Sequence, residues 1–319
     1  MSHISAILAS QTTVIVGTMA LGMALVIITG GIDLSVGSGL VLVTGVTIMA
    51  YNATSSIIVM LLAALIVGAL CGLINGLMVG CAKMPAFVAT LGTQLIYRSV
   101  TLTYVRMVDP ALSGSSSSQF SMISSNKYYN ALRMGFGTGK LNLGFIELPY
   151  ITILFFVLLA LFIIISTRTK YGKSIYAVGS NVRSARLAGI NVTFVYVSVY
   201  VIVGFLVGIA SFLQACKLGN ITPASSGMNY ELYAIASVVL GGVNMAGGRG
   251  NILGVLFGAL SYTTINFIIV SIPSLSTDMQ DACQGLVLIV VILIQTLSPI
   301  IKAHFNTAKK RKANEALAK

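Results

Sequence analysis

Residues 153–166 read ILFFVLLALFIIIS, a continuous apolar run whose one polar side chain is its last. A barrel strand alternates apolar and polar residues, and a surface helix of a soluble protein keeps a polar face. This stretch does neither. In hydrocarbon the backbone must satisfy its own polar groups, which a helix does within one segment. Working outward, comparable runs recur along the chain. Measured against the roughly 20 residues needed to cross a bilayer core, candidate spans fall at 8–29, 38–52, 55–80, 86–106, 149–166, 193–215, 229–243, 250–271 and 278–301. The second and seventh are short and read as partial or tilted. The expected fold is all-α: a polytopic helical membrane protein of about nine transmembrane helices, forming one transmembrane domain over 1–319.

Composition supports this. The 319 residues are 56% hydrophobic and 8% charged, against about 25% charged in ordinary soluble domains. The net charge is +12, from 19 Lys and Arg against 7 Asp and Glu. In a soluble protein that balance would suggest nucleic acid. Here the positions argue for membrane lipid and no nucleic acid. Arg168, Lys170, Lys173, Arg183 and Arg186 crowd one loop, and Lys302, Lys309, Lys310, Arg311, Lys312 and Lys319 crowd the tail. Cytoplasmic loops carry such an excess. The loop 167–192 and the basic tail 302–319 are therefore expected in the cytoplasm, and the four spans between them make the two assignments agree. Counting back places Lys83 inside. It places 107–148, with Asp109, Glu147 and the serine run 113–118, outside as a loop with some short structure. Nine spans would put the N-terminus outside, and no basic region precedes the first run to make a cleavable signal.

The chain repeats itself once. Residues 30–39 read GGIDLSVGSG and residues 241–250 read GGVNMAGGRG. At an offset of 211, Gly30, Gly31, Gly37 and Gly39 match Gly241, Gly242, Gly248 and Gly250, and Asp33 matches Asn244. Transporters are often built from two related halves. Glycines also recur every four residues, at Gly68, Gly72, Gly76 and Gly80 behind Ala64, at Gly204 and Gly208, and at Gly250, Gly254 and Gly258. That spacing lines one helix face with small residues and lets helices pack closely.

Asp33 follows an apolar run among glycines. Two roles suit it: lining a path at a broken helix, or capping a helix at the membrane edge. Glu231 heads the seventh span and is expected near the outer face. The loop 167–192 holds a helix signature. Ser180 or Asn181 suits an N-cap, Val182 to Ala188 a short helix, and Gly189 the left-handed residue that ends one. With Arg183 and Arg186 beside Leu187, this amphipathic piece is built to lie on lipid headgroups or in a groove of a partner. Gly172-Lys173-Ser174 mimics the end of a phosphate loop, but Thr167 stands where that motif needs glycine. The only histidines, His3 and His304, sit near the ends, and Cys71, Cys81, Cys216 and Cys283 are scattered. No catalytic set, metal site or cofactor is expected.

Four stretches, 25–38 (LVIITGGIDLSVGS), 85–93 (PAFVATLGT), 176–192 (YAVGSNVRSARLAGINV) and 230–260, occur in the order found in one family. The chain resembles the permease subunits of ribose- and galactose-type sugar importers of the ATP-binding-cassette class. The resemblance implies about ten spans, one of them ahead of the first span found here. It implies a second permease, identical or related, with the pathway between the two. It also implies two cytoplasmic ATP-binding subunits, a periplasmic or lipid-anchored sugar-binding protein, and a place in the bacterial inner membrane. Asn181, Arg183, Ser184, Ala185, Arg186, Leu187 and Gly189 would form the element coupled to the ATPase. The sequence departs from the family where Val182 and Arg183 replace frequent acidic residues. Asp33, Ser35, Asn75 and Asn244 are expected to line the path or hold its shape. The competing reading is an ion-gradient-driven secondary transporter. It needs ionisable groups inside the spans, and apart from Arg98 those found, Asp33, Glu231, Asp278 and Asp281, lie near predicted span ends.

Overall fold

The computed structural model describes residues 12–115, 118–142 and 147–272, with single residues or short stretches at 7, 10, 279, 282–287, 289–290, 293–294 and 297. The last expected span, Asp278, Asp281, both histidines and the basic tail 302–319 lie wholly or largely outside the described residues. The chain divides into two compact units, 1–263 and 264–319. In the second, the described residues include the end of one helix and a helical stretch at 282–287.

The first unit is a helical bundle. A π-helical turn, Thr12–Val16, leads into α1 (Gly17–Ile28), followed by α2 (Val36–Thr54), α3 (Ile57–Gly76), α4 (Ala86–Met107) and α5 (Tyr150–Arg168). Then come α6 (Lys170–Ser180), α7 (Val182–Leu187), α8 (Val192–Leu218), α9 (Tyr230–Leu240) and α10 (Ile252–Val270), the last running past the unit's end. Among the described residues, five helices are long and apolar enough to cross a membrane: α2, α3 with its π-helical extension to Cys81, α5, α8 and α10. α4 has the length but carries too many polar residues to join them.

All twelve residues of α1 are buried. A helix apolar on every side belongs inside a bundle, and α1 is packed by α5, α6, α8 and α9. The glycine ladders meet each other. A Cβ on Gly204 would strike the Gly68 carbonyl and the Gly72 backbone, and one on Gly68 would strike Gly204 and Gly208. α3 and α8 thus touch backbone to backbone, as small residues allow. Gly254 and Gly258 pack in the same way on Gly241 and Ser237, joining α10 to α9.

The segment 107–148 forms short structure. Strand β1 (Phe120–Ser121) pairs antiparallel with β4 (Asn220–Ile221), and β2 (Lys140–Asn142) with β3 (Glu147–Pro149). Asn52, near the end of α2, donates to the Leu112 and Ser121 carbonyls and accepts from the Ile123 N–H. These bonds fasten the segment to the bundle.

The sequence repeat is a structural repeat. After α1, Gly30 at φ +84° lets its N–H reach the Ile27 carbonyl and the Gly31 N–H reach Val26. After α9, Gly242 at φ +80° does the same, with bonds to Val239 and, from Val243, to Val238. Both are left-handed glycine terminations of a helix. An Asx turn follows each: Ser35 N–H donates to Asp33 Oδ1 and Ala246 N–H to Asn244 Oδ1, at 2.9 and 3.0 Å. The turns keep the offset of 211, whereas the glycines are offset by 212, so one residue was gained or lost between them.

Candidate functional site

Two places collect the residues singled out in the sequence. The first is the break after α1. Asp33 is 1% exposed. Ser35 gives its N–H and its hydroxyl to Asp33 Oδ1, at 2.9 and 2.7 Å. Asn75 on α3 donates to Ser35 Oγ at 2.8 Å and stands 3.4 Å from both carboxylate oxygens. Thr93 on α4 donates to Asn75 Oδ1 at 2.8 Å. Thr90 on α4 and Tyr200 on α8 send hydroxyls to the Ile32 carbonyl, at 3.3 and 3.4 Å. Side chains from three helices thus satisfy one broken segment, as buried polar groups require. The cavity beside them, lined by Asp33, Ser35, Asn75, Tyr97 and Cys71, measures about 10 Å³, room for about one water molecule. The structure brings Asp33, Ser35 and Asn75 together and leaves Asn244 apart, exposed in its own turn with its N–H bonded to the Arg249 carbonyl.

The second place is the loop 167–192, which is two helices. Thr169 caps α6 by accepting the Gly172 N–H at 3.0 Å. Gly172-Lys173-Ser174 is therefore helical, with Gly172 packed on the Ile165 and Ser166 backbone. α6 was not expected. Its buried Ile175 and Val178 lie three residues apart, a helical signal masked by the glycines and lysines around it. Asn181 caps α7, accepting the Ser184 N–H at 2.9 Å, and Gly189 at φ +80° ends it. Ala185, 3% exposed, faces inward, while Arg183, Arg186 and Leu187 face out, Leu187 at 85% exposed.

These two places and the second repeat meet at a glycine junction. Gly248 donates its N–H to the Ile28 carbonyl at 2.8 Å. Gly179, in the last turn of α6, lies against both the Ile28 carbonyl and the Gly248 nitrogen, and Gly247 lies against Gly179 and Gly30. Tyr176 adds a hydroxyl bond to the Gly250 carbonyl at 3.0 Å. Both helix breaks and the base of the α6–α7 pair therefore share one contact.

Glu231 is buried within the bundle rather than exposed at its surface. It is 7% exposed, with Oε1 accepting from Gln94 Nε2 at 2.9 Å and Oε2 against Gly37 in the first turn of α2. The cause is the path of 219–229. After pairing beside Phe120, which packs on Gly45, the chain descends along α2 until Gly227 meets Gly37, a drop of about 12 Å at 1.5 Å per residue. α9 therefore begins inside the bundle and is only half a span long, in keeping with a short seventh segment. Among the described residues, no group of three His, Cys, Asp or Glu is placed to hold a metal.

The chain matches known proteins over nearly its whole length. It is 35% identical to the ribose import permease protein of Escherichia coli (strain K12) over 285 residues, 89% of this chain and 83% of that one. It is 32% identical over 291 residues to the galactose/methyl galactoside import permease protein of Haemophilus influenzae, 88% of this chain and 82% of that one. It is 33% identical over 253 residues to the fructose import permease protein of Rhizobium meliloti, 78% and 66% of the two chains. No solved structure matches. The family described as branched-chain amino acid transport system / permease component matches residues 5–292, and this multi-pass membrane protein belongs to it.

Proposed function

We propose that this chain is the permease subunit of an ATP-binding-cassette importer that carries a simple sugar, of the ribose, galactose or xylose kind, across the bacterial inner membrane. The observation that carries the reading is 35% identity over 89% of the chain to a ribose import permease. The chain itself performs no catalysis. Two cytoplasmic ATP-binding subunits supply hydrolysis, a second permease completes the path, and a periplasmic or lipid-anchored binding protein delivers the sugar. The loop 167–192 and the C-terminus face the cytoplasm.

The α6–α7 pair is the coupling element in this reading. Asn181 and Gly189 fix the ends of α7, Ser184 receives the cap and Ala185 anchors it. Arg183, Arg186 and Leu187 offer a partner an exposed basic and apolar edge. A push on α7 passes through α6 to the glycine junction, where both breaks respond. A ligand or partner shifts a conformational equilibrium only by contacting its states differently, and the junction is where such a difference registers. Asp33, Ser35 and Asn75 hold the shape of the first break, and Asn244 that of the second.

The test is import of labelled D-ribose, D-galactose and D-fructose into proteoliposomes holding the chain with its ATPase subunits and binding protein. Uptake of at least one sugar, dependent on ATP and on the ATPase subunit, is the expected result. Uptake by the chain alone, driven by a proton or sodium gradient, overturns it in favour of a secondary transporter.

A further inference from the structure

Gln94 and Arg98 stand one turn apart on α4, and both are half-buried. Arg98 lies twelve residues from one end of α4 and nine from the other, about 18 and about 13 Å. That is farther than its side chain reaches toward either end of the helix. In the importer reading α4 crosses the bilayer, and a half-exposed guanidinium in mid-span faces protein or a water-filled cavity rather than hydrocarbon. Opposite it is the descending segment 222–229, non-helical backbone that membrane depth tolerates only inside protein or along such a cavity. Arg98 Nη1 donates to the Pro223 and Ser226 carbonyls, both at 2.7 Å.

The hydrogen-bonding capacity left over is specific. Gln94 uses its amide nitrogen on Glu231 Oε1 and keeps its carbonyl oxygen. Arg98 uses Nη1 on the loop and keeps Nη2 and Nε. Among the described residues, none of these atoms is enclosed without a partner. Gln94 and Arg98 are four residues apart, so a donor pair and an acceptor share one face of α4. Glu231, bonded to Gln94, brings an acidic group to the same stretch of α4 as the basic Arg98. The site suits a neutral solute whose neighbouring hydroxyls each give and take a hydrogen bond. The Asp33 cavity, with room for about one water, does not admit one.

We propose that Gln94, Arg98 and Glu231, at the foot of the descending 222–229 segment, form a transit site that hydrogen-bonds the hydroxyls of a neutral polyol. The inference rests on the importer reading and names where in this chain the solute is held.

The experiment uses the assembled transporter with Cys81→Ser and Cys283→Ser, leaving the buried Cys71 and Cys216. Gln94→Cys is treated with a negatively charged methanethiosulfonate reagent, with and without the sugar that the wild type imports. Leu161→Cys, at an exposed apolar position of α5, is the control. Gln94→Cys is expected to react, sugar to slow the reaction at least threefold, and Leu161→Cys not to react. A Gln94→Cys that does not react, or reacts equally with and without sugar, overturns the site. So does an assembled Gln94→Leu complex that imports with the wild-type KM, where a rise of tenfold or more is expected. Gln94→Asn keeps the amide and is expected to recover part of that rise; an assembled Asn variant no better than Leu counts against the site. A wild type that imports no sugar with ATP sinks the importer reading, separately from these outcomes.

Discussion

Asp33 shows how much one side chain does at a break. Its carboxylate takes both bonds from Ser35 and faces the Asn75 amide. Asp33→Ala removes the turn-forming acceptor and leaves buried donors unpaired, each effect costing about 1 kcal/mol or more. Asp33→Asn keeps an oxygen for Ser35 but sets its amide against that of Asn75. Thermal unfolding of the purified protein should therefore rank wild type above Asn above Ala, with Ala down by about 2 kcal/mol or more. The sequence identified Asp33, Ser35 and Asn75 as polar residues in apolar surroundings. It did not reveal Thr93 as their partner, because a threonine on a polar helix carries no mark of what it meets. The burial of Glu231 was not legible for a related reason. Its depth depends on the descent of 219–229, and an irregular segment threading into a bundle has no periodicity to read.

At the scale of elements, the parts governed by local chemistry were the legible ones. An asparagine cap and a left-handed glycine belong to their own helix, so α7 could be read from 181–189 alone. Asn181→Ala should fray α7 by about 1 kcal/mol, while Asn181→Asp keeps an oxygen for the Ser184 N–H and should retain the helix. Hydrogen exchange at Ser184 and Ala185 distinguishes the two. The glycine ladders were legible as packing faces, but which ladder met which was not, since the spacing is the same in all of them. The contact between α3 and α8 makes a firm prediction. Gly204→Val has only backbone to push against, at Gly68 and Gly72. It should cost about 3 kcal/mol or more, seen as loss of monodisperse protein in detergent, whereas Gly92→Ala, inside a helix with open space around it, should be neutral or stabilising by up to about 1 kcal/mol. α6 escaped the sequence reading because its two buried apolar side chains, Ile175 and Val178, are too few to set a pattern against Gly172 and Gly179.

Across the whole molecule, the repeat is what the sequence displayed most directly and explained least. Two matching decapeptides foretold two matching turns, and the structure adds that the turns touch. Similarity in sequence says nothing of proximity, which depends on α9 and α1 lying side by side. In the importer reading, Gly179→Val should separate hydrolysis from import. The added methyls strike the Ile28 carbonyl and the Gly248 nitrogen, so the assembled complex should still split ATP while sugar uptake falls at least tenfold. Equal uptake would remove the junction from the mechanism.

The bond from Gly248 to Ile28 also supplies a natural reporter. One amide proton is shielded from deuterium only while both repeats stay in register. Its uptake rate, followed as nucleotide and sugar are added, times the parting and rejoining of the two halves without any attached dye.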